Sequence, residues 1–216
     1  ERARDLLQST ALLELMIVKD VESTNAIIRQ IDSLMTNSNS SDVNQNDEIN
    51  ELFDSGSSSE LGFSSLLISV GGNLAIASKD LTALKDILSK DDVKQILEAT
   101  NSTILTSDSS IKLVNEIGDE EEFYTLYHLF NNAELTGGVI EDAQMRLSQA
   151  GVNAGQAVVE VEMNSEGSRE WARITGANIN NRIAIVLDKK VHMAPVIRSQ
   201  IFGGGTVIVG LVSIEE

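Results

Sequence analysis

Hydrophobic and polar positions are most regularly patterned between Gln156 and Ser213, and that stretch organises the reading of the rest. Ala157-Val158-Val159-Glu160-Val161-Glu162-Met163 alternates from Val159 onward and is rich in β-branched residues, which predicts a half-buried strand. A helix follows to about Asn178. Asn164 or Ser165 can cap it, Glu166 puts negative charge in its first turn where the helix dipole favours it, and Trp171, Ile174 and Ala177 share one face. The apolar run Ile183-Ala184-Ile185-Val186-Leu187 and the segment Val191 to Val196 flank the polar turn Asp188-Lys189-Lys190, which predicts a hairpin. Pro195 has no N–H to donate, so the second strand is expected at an edge or end of its sheet. Gly203-Gly204-Gly205 frees the backbone before a last strand, Thr206 to Val212.

Upstream the pattern is less even. A short helix over 2–9 precedes a strand from Ala11 to Val18, whose Leu12, Leu13, Leu15, Met16, Ile17 and Val18 barely alternate, as suits a strand covered on both faces. Asp20 is placed to cap a helix over about 21–36, where Ala26, Ile27, Ile31, Leu34 and Met35 form one stripe. Residues 37–60 are largely Ser, Asn, Asp and Gly, which predicts a polar loop, with a short helix at 46–53 as an option within it. Leu66 to Val70 and Leu74 to Ala77 read as strands around a Gly71-Gly72 turn. Two amphipathic helices start at Asp80 and at Asp91 or Asp92, forming an αα-hairpin. Residues 103–106, 111–116 and 123–130 read as three short strands, with turns at Thr106 to Ser110 and at Gly118-Asp119. Val139-Ile140 and Met145 to Leu147 then lead into a hairpin turning over Ala150 to Gly155.

Composition narrows the function classes. Hydrophobic residues make up 42% of the 216 and aromatics only 4%, so the core must be aliphatic. There is no apolar run of about 18 residues to span a bilayer, and the opening Glu-Arg-Ala-Arg-Asp is unlike a signal peptide. With 33 acidic against 16 basic residues the net charge is −17, which argues against nucleic acid or an anionic lipid surface as partner. The absence of cysteine excludes a disulfide framework and thiolate metal sites.

Candidate chemistry is sparse. His128 and His192 are the only histidines, and neither has an acidic pair at metal-ligand spacing. Asp119-Glu120-Glu121-Glu122 lacks the spacing of a calcium loop and reads as a solvated charge run. The glycine runs are followed by neither Lys-Ser/Thr nor a helix start, so they are not phosphate loops, and no Gly-x-Ser-x-Gly elbow occurs. Trp171, the single tryptophan, reads as core. No catalytic residue, metal ligand or cofactor is assigned.

One resemblance goes further. Asn164-Ser165-Glu166-Gly167, Trp171-Ala172-Arg173-Ile174-Thr175, Asn178-Ile179, Arg182 to Asp188, Ala194-Pro195-Val196-Ile197 and Gly203-Gly204 are similar, in order and spacing, to the SecD family of the bacterial Sec protein-export machinery. Leu135-Thr136-Gly137-Gly138 with Asp142-Ala143, the opening Ala3-Arg4-Asp5-Leu6-Leu7 and the closing Ser213-Ile214-Glu215-Glu216 fit the same family. The resemblance covers roughly 1–18 and 134–216. Residues 20–133 resemble the longer inserts of Bacteroidetes-like SecD or SecD–SecF fusions.

The resemblance implies an α+β fold with a partial ferredoxin-like base (1–18 and 206–216) and a large inserted head (19–205). It implies a periplasmic domain of a membrane-embedded parent, partnered by SecF, the SecY channel and unfolded preprotein. It also implies a head that swings against the base as protons cross the membrane. On this reading the hinge lies at the two crossings between base and head, Val18-Lys19-Asp20 and Gly203-Gly204-Gly205. Preprotein is expected to add a strand at the Val191–Val196 edge, touching Val191, Met193 and Val196, or to lie in a groove beside the helices at 80–98, on Leu84 and Leu88. The competing expectations are a soluble periplasmic ligand-binding domain and a structural partner-binding domain.

Overall fold

The computed structural model describes residues 13–38, 62–114, 118–147 and 157–209. The expected helix at 2–9, the polar loop, and the turn at 150–155 lie outside these. Contacts divide the chain into two compact units. Unit 1 takes Glu1–Lys19, Thr103–Ser109 and Tyr127–Glu216, and unit 2 takes Asp20–Ser102 and Ser110–Leu126.

In unit 1 the strands are β1 (Leu13–Ile17), β6 (Leu135–Thr136), β7 (Ile140–Leu147), β8 (Ala157–Met163), β9 (Ile183–Leu187), β10 (Lys190–Met193) and β11 (Gly205–Val209). The helix is α4 (Ser165–Ala177). Part of β4 (Ser102–Val114) and part of β5 (Glu120–Phe130) also belong here. One sheet runs β4-β10-β9-β1-β6, and a second, three-stranded sheet runs β11-β8-β7. β1 is antiparallel to β9 from Leu13 opposite Leu187 to Ile17 opposite Ile183. Its alternate side chains enter two clusters. Leu13, Leu15 and Ile17 join Trp171, Ile174, Ile183, Ile185 and Val161, while Met16 joins Leu129, Ala184, Val186 and Val191. A strand buried on both faces has no need of polar alternation, which is why its sequence reads as a continuous apolar run.

The β9–β10 hairpin turns as predicted. Asp188 and Lys189 both take positive φ (+48° and +63°), the twist that a two-residue hairpin turn requires. Of the edge or end expected where Pro195 stands, the structure takes the end. β10 lies between β9 and β4, with Val191 opposite both Val186 and Ser107, and it ends at Met193 before Pro195. Proline has stopped the strand rather than placed it at the rim. Most of the base expected from 1–18 and 206–216 lies outside the described residues. β1 pairs with β9 and β6, and β11 pairs with β8 in the other sheet.

Unit 2 packs α1 (Val21–Ser38) and α2 (Leu81–Ser89) against α3 (Asp91–Ala99), beside a sheet ordered β2-β3-β5, where β2 is Leu67–Val70 and β3 is Asn73–Ala77. Ile31 is fully buried on α1, and Ala75 and Ile76 on β3. A 3-10 turn at Phe63–Leu66 is held to α1 by the Asp32 carboxylate, which accepts from the Ser64 N–H at 2.9 Å. Between 102 and 130 the three short strands predicted become two long ones. Ser107, expected in a turn, is buried, opposes Val191, and donates its hydroxyl to the Ser109 carbonyl at 2.8 Å. A serine that satisfies itself locally can occupy a ladder position that its polarity argues against.

Asp20 starts α1 as predicted. Its carboxylate accepts from the Ser23 backbone N–H at 2.7 Å and from the Ser23 hydroxyl at 3.1 Å. The backbone hydrogen bond, followed by the hydroxyl, holds the Asp20 carboxyl below its ordinary value. A depressed folded value means that the stabilisation is present at neutral pH and is lost as pH falls through that value. Asp20→Asn keeps the capping oxygen and loses the charge at the positive helix end. The variant is expected to be less stable than the native chain at pH 7 and to converge with it in acid, as read by urea unfolding across pH. A gap that stays constant with pH would contradict this.

Candidate functional site

An apolar cavity of about 480 Å³ within unit 1 has room to receive another molecule. Leu13 and Leu15 of β1 and Ile183 and Ile185 of β9 form one wall. The three-stranded sheet contributes Ile140, Val161, Met163 and Thr206, α4 contributes Trp171, and the irregular segment after β10 contributes Pro195, Val196, Ile197 and Ile201. The volume falls in the range typical of ligand pockets.

Local sequence explains how these elements are held. Asn164 caps α4, its side-chain oxygen accepting from the Gly167 N–H at 2.8 Å. Gly167 is required because a Cβ there would lie 2.7 Å from Val139 Cβ, so the helix start can press against the chain entering β7. Further along, Thr175 donates its hydroxyl to the Trp171 carbonyl at 2.7 Å and accepts from the Ile201 N–H at 2.9 Å, tying the irregular segment to α4. Gln200 adds an amide hydrogen bond to the Ala172 carbonyl at 3.1 Å. The lining is partly open, with Val196 left 41% exposed.

The structure separates the residues that the sequence reading grouped. Met193 and Val196 line the cavity. Val191 is buried in the other cluster, with Met16 and Leu129, where no incoming strand can reach it. The preprotein contact expected at Val191 through an open edge is therefore corrected. Leu84 and Leu88 are on α2 in unit 2, with Leu84 buried. Of the expected hinge positions, Lys19 and Asp20 straddle the division between the units. Val18 donates to the Arg182 carbonyl and Lys19 to the His128 carbonyl, both at 2.9 Å. Gly203 and Gly204 take positive φ (+83° and +71°), but Gly204 is packed tightly against Ser168, and its carbonyl accepts from the Met163 N–H at 3.1 Å.

The polar candidates take structural places. Glu121 pairs with Lys79 at 2.6 Å, and Lys112 lies 3.5 Å from Glu120 and 4.0 Å from Glu122, so the acidic run meets cations from neighbouring elements of unit 2. The hydrogen bond to Glu121 raises the Lys79 ammonium above its ordinary value. His128 is buried in β5. His192 Nδ1 is 3.6 Å from the Asp108 carboxylate. Among the described residues no group of three or more His, Cys, Asp or Glu is placed to hold a metal, and no helix is long and apolar enough to cross a membrane.

The sequence reading missed Val139, Ile197, Ile201 and Thr206 as parts of the site. Ile197 and Ile201 sit in irregular backbone with no periodicity to mark them. Trp171 was assigned to the core, and it is both core and cavity wall.

Residues 110–216 match the family model described as SecDF, P1 head subdomain. Over 144 residues the chain is 37% identical to the protein translocase subunit SecD of Rhodothermus marinus, covering 65% of this chain and 21% of that one. Over 82 residues it is 43% identical to the protein translocase subunit SecDF of Thermus thermophilus, covering 38% of this chain and 11% of that one. A solved structure of SecDF, described as a membrane component that enhances protein export, aligns with 94% of this chain and 88% of that chain, at 19% identity and a TM-score of 0.36. The chain spans no more than about a fifth of the length of these curated relatives.

Proposed function

We propose, from the match of residues 110–216 to the family model described as SecDF, P1 head subdomain, that the chain is the preprotein-handling domain of a Sec translocase accessory subunit on the periplasmic side of the inner membrane. The parent protein works beside SecF and the SecY channel. Its head engages unfolded preprotein as it emerges, and head movement against a base, driven by protons crossing the membrane, assists export. The division into base (1–18 and 206–216) and head (19–205) belongs to this proposal, as does a hinge at Val18–Asp20. The compact units described above cut the chain elsewhere, and Gly204 is better suited to packing than to flexing.

The observation that carries the reading is the apolar cavity with the exposed Val196 in its lining. An unfolded client offers apolar side chains of varied shape, and an aliphatic cavity accepts them with little demand on sequence. Val196 is 41% exposed. Val196→Asp therefore adds a charge at the mouth with little effect on folding, since surface changes cost about 0.5 kcal/mol or less. The substitution is expected to weaken binding of an unfolded, apolar preprotein segment at least about tenfold, because an ionised carboxylate resists the desolvation that seating the segment requires. Calorimetry on the native and variant chains measures this, and equal affinity would sink the reading. The cavity volume also suits a compact small molecule. Binding of such a ligand without any affinity for unfolded segments would favour a periplasmic ligand-binding domain instead.

A further inference from the structure

The sheet of unit 2 ends in an open edge at β2. On one side β2 pairs with β3, from Leu67 opposite Ile76 to Val70 opposite Asn73, and among the described residues no strand lies on its other side. Gly71 and Gly72 both take positive φ (+57° and +81°), so a two-residue turn joins the strands and Val70–Asn73 is the hydrogen-bonded pair beside it. Bonded and non-bonded pairs alternate from there. Ile68 therefore turns its N–H and C=O toward β3, while Leu67 and Ser69 turn theirs out of the sheet. Native sheets protect such an edge with a charge, a proline or a bulge. β2 has none of these. Its register is unbroken, and the 18 residues from Leu61 to Ser78 contain no Asp, Glu, Lys, Arg or Pro, the longest uncharged run in the chain. In the middle of the edge stands Ile68, 38% exposed.

Charge and geometry together select the partner. Two copies of a chain with a net charge of −17 repel wherever their acidic surfaces meet, and the run at 61–78 lets them touch without bringing like charges together. We propose that β2 pairs with β2 of a second copy, antiparallel across a two-fold axis. The outward-facing groups set the register. Leu67 of each copy lies opposite Ser69 of the other, each pair exchanging both its N–H···O bonds, and Ile68 meets Ile68 of the second copy as the non-bonded pair on the axis. Ile68 shares its sheet face with Val70, which packs on Ala75, Ala77 and Phe123, so the pairing joins the two clusters into one apolar strip. A ladder of this length is smaller than the roughly 1,200 Å² of a standard interface, so the dimer is transient and depends on concentration.

The test is sedimentation equilibrium of the whole chain from about 10 μM to about 1 mM, a range that reads weak association. The native chain is expected to pass from monomer toward dimer across it. Ile68→Lys puts two like charges on the axis, and Ser69→Pro removes an outward N–H without touching the β2–β3 ladder. Each is expected to weaken dimerisation at least about tenfold, with urea stability little changed. The chain has no cysteine, so cross-linking gives a second reading. Ile68→Cys is expected to form a disulfide-linked dimer under mild oxidation, because Cα atoms in a directly opposite non-bonded pair lie about 4.5 Å apart. Ser69→Cys lies opposite Leu67 rather than itself and is expected to link at least about tenfold more slowly. A native chain that stays monomeric throughout would overturn the proposal. So would a dimer indifferent to both Ile68→Lys and Ser69→Pro, or equal cross-linking through the two cysteine variants.

Discussion

Replacing the three consecutive glycines one at a time with alanine is expected to give three different results, with the middle one costly. At Gly204 an alanine Cβ would lie 2.0 Å from Ser168 Oγ, 2.9 Å from Ser168 Cβ and 3.3 Å from Met163 Cβ, at a φ of +71°. Rotation of the Ser168 hydroxyl relieves the first contact. It does not relieve the second, because that Cβ is fixed to the backbone of α4. The left-handed conformation costs an alanine about 1 kcal/mol and overpacking adds about 1–3 kcal/mol, so Gly204→Ala is expected to lose about 3 kcal/mol. Gly203 shares the positive φ but has open space around it, so Gly203→Ala should lose only the conformational part, about 1 kcal/mol. Gly205 has neither constraint, and Gly205→Ala should be close to neutral. Urea unfolding of the three variants measures the series. Equal losses at all three positions would mean that the run serves backbone freedom alone, as a hinge would, and that the contact with Ser168 is unimportant.

The second large effect is expected at Ile174. It is fully buried on α4, in the cluster that includes Leu13, Leu15, Trp171, Ile183 and Ile185. Ile174→Ala removes three carbons from packing supplied by one helix and two strands of a paired sheet. Because those strands are held by their ladder, the site collapses poorly, and the cost is expected in the upper part of the usual range of about 2–5 kcal/mol. Ile179, just beyond the same helix and 45% exposed, is the control, and Ile179→Ala should change stability by about 0.5 kcal/mol or less. The single tryptophan lies in the same cluster, so its emission reports unfolding directly. A loss at Ile174 no greater than at Ile179 would show that α4 is not anchored through this face.

Much of the local structure was legible because the physics that decides it is local. Asn164 and Asp20 start their helices through hydrogen bonds made within three residues. The Asp188-Lys189 turn and the strands beside it follow from two-residue turn geometry and an unbroken apolar run. The stretch at 102–114 was misread for the same reason, since Thr-Ser-Asp-Ser-Ser looks like a turn until Ser107 is placed opposite Val191, 84 positions away. The family model that matches residues 110–216 agrees with the resemblance, which rested on short ordered blocks rather than on any site.

The chain's own pattern determined the types of its elements, their caps and its aliphatic interior, because each depends on neighbours within about a helical turn or a hairpin. Tertiary structure alone decided which strands became neighbours. It put β10 inside a sheet rather than at its edge, joined β1 to β9 and β11 to β8, and left Val191 buried while Met193 and Val196 open on a cavity. It also decided that Trp171 and Thr206, 35 positions apart and neither distinguished by its neighbours in the chain, line that same cavity. Strand order and cavity lining depend on where distant segments meet, and no short-range pattern of hydrophobic and polar residues carries that information.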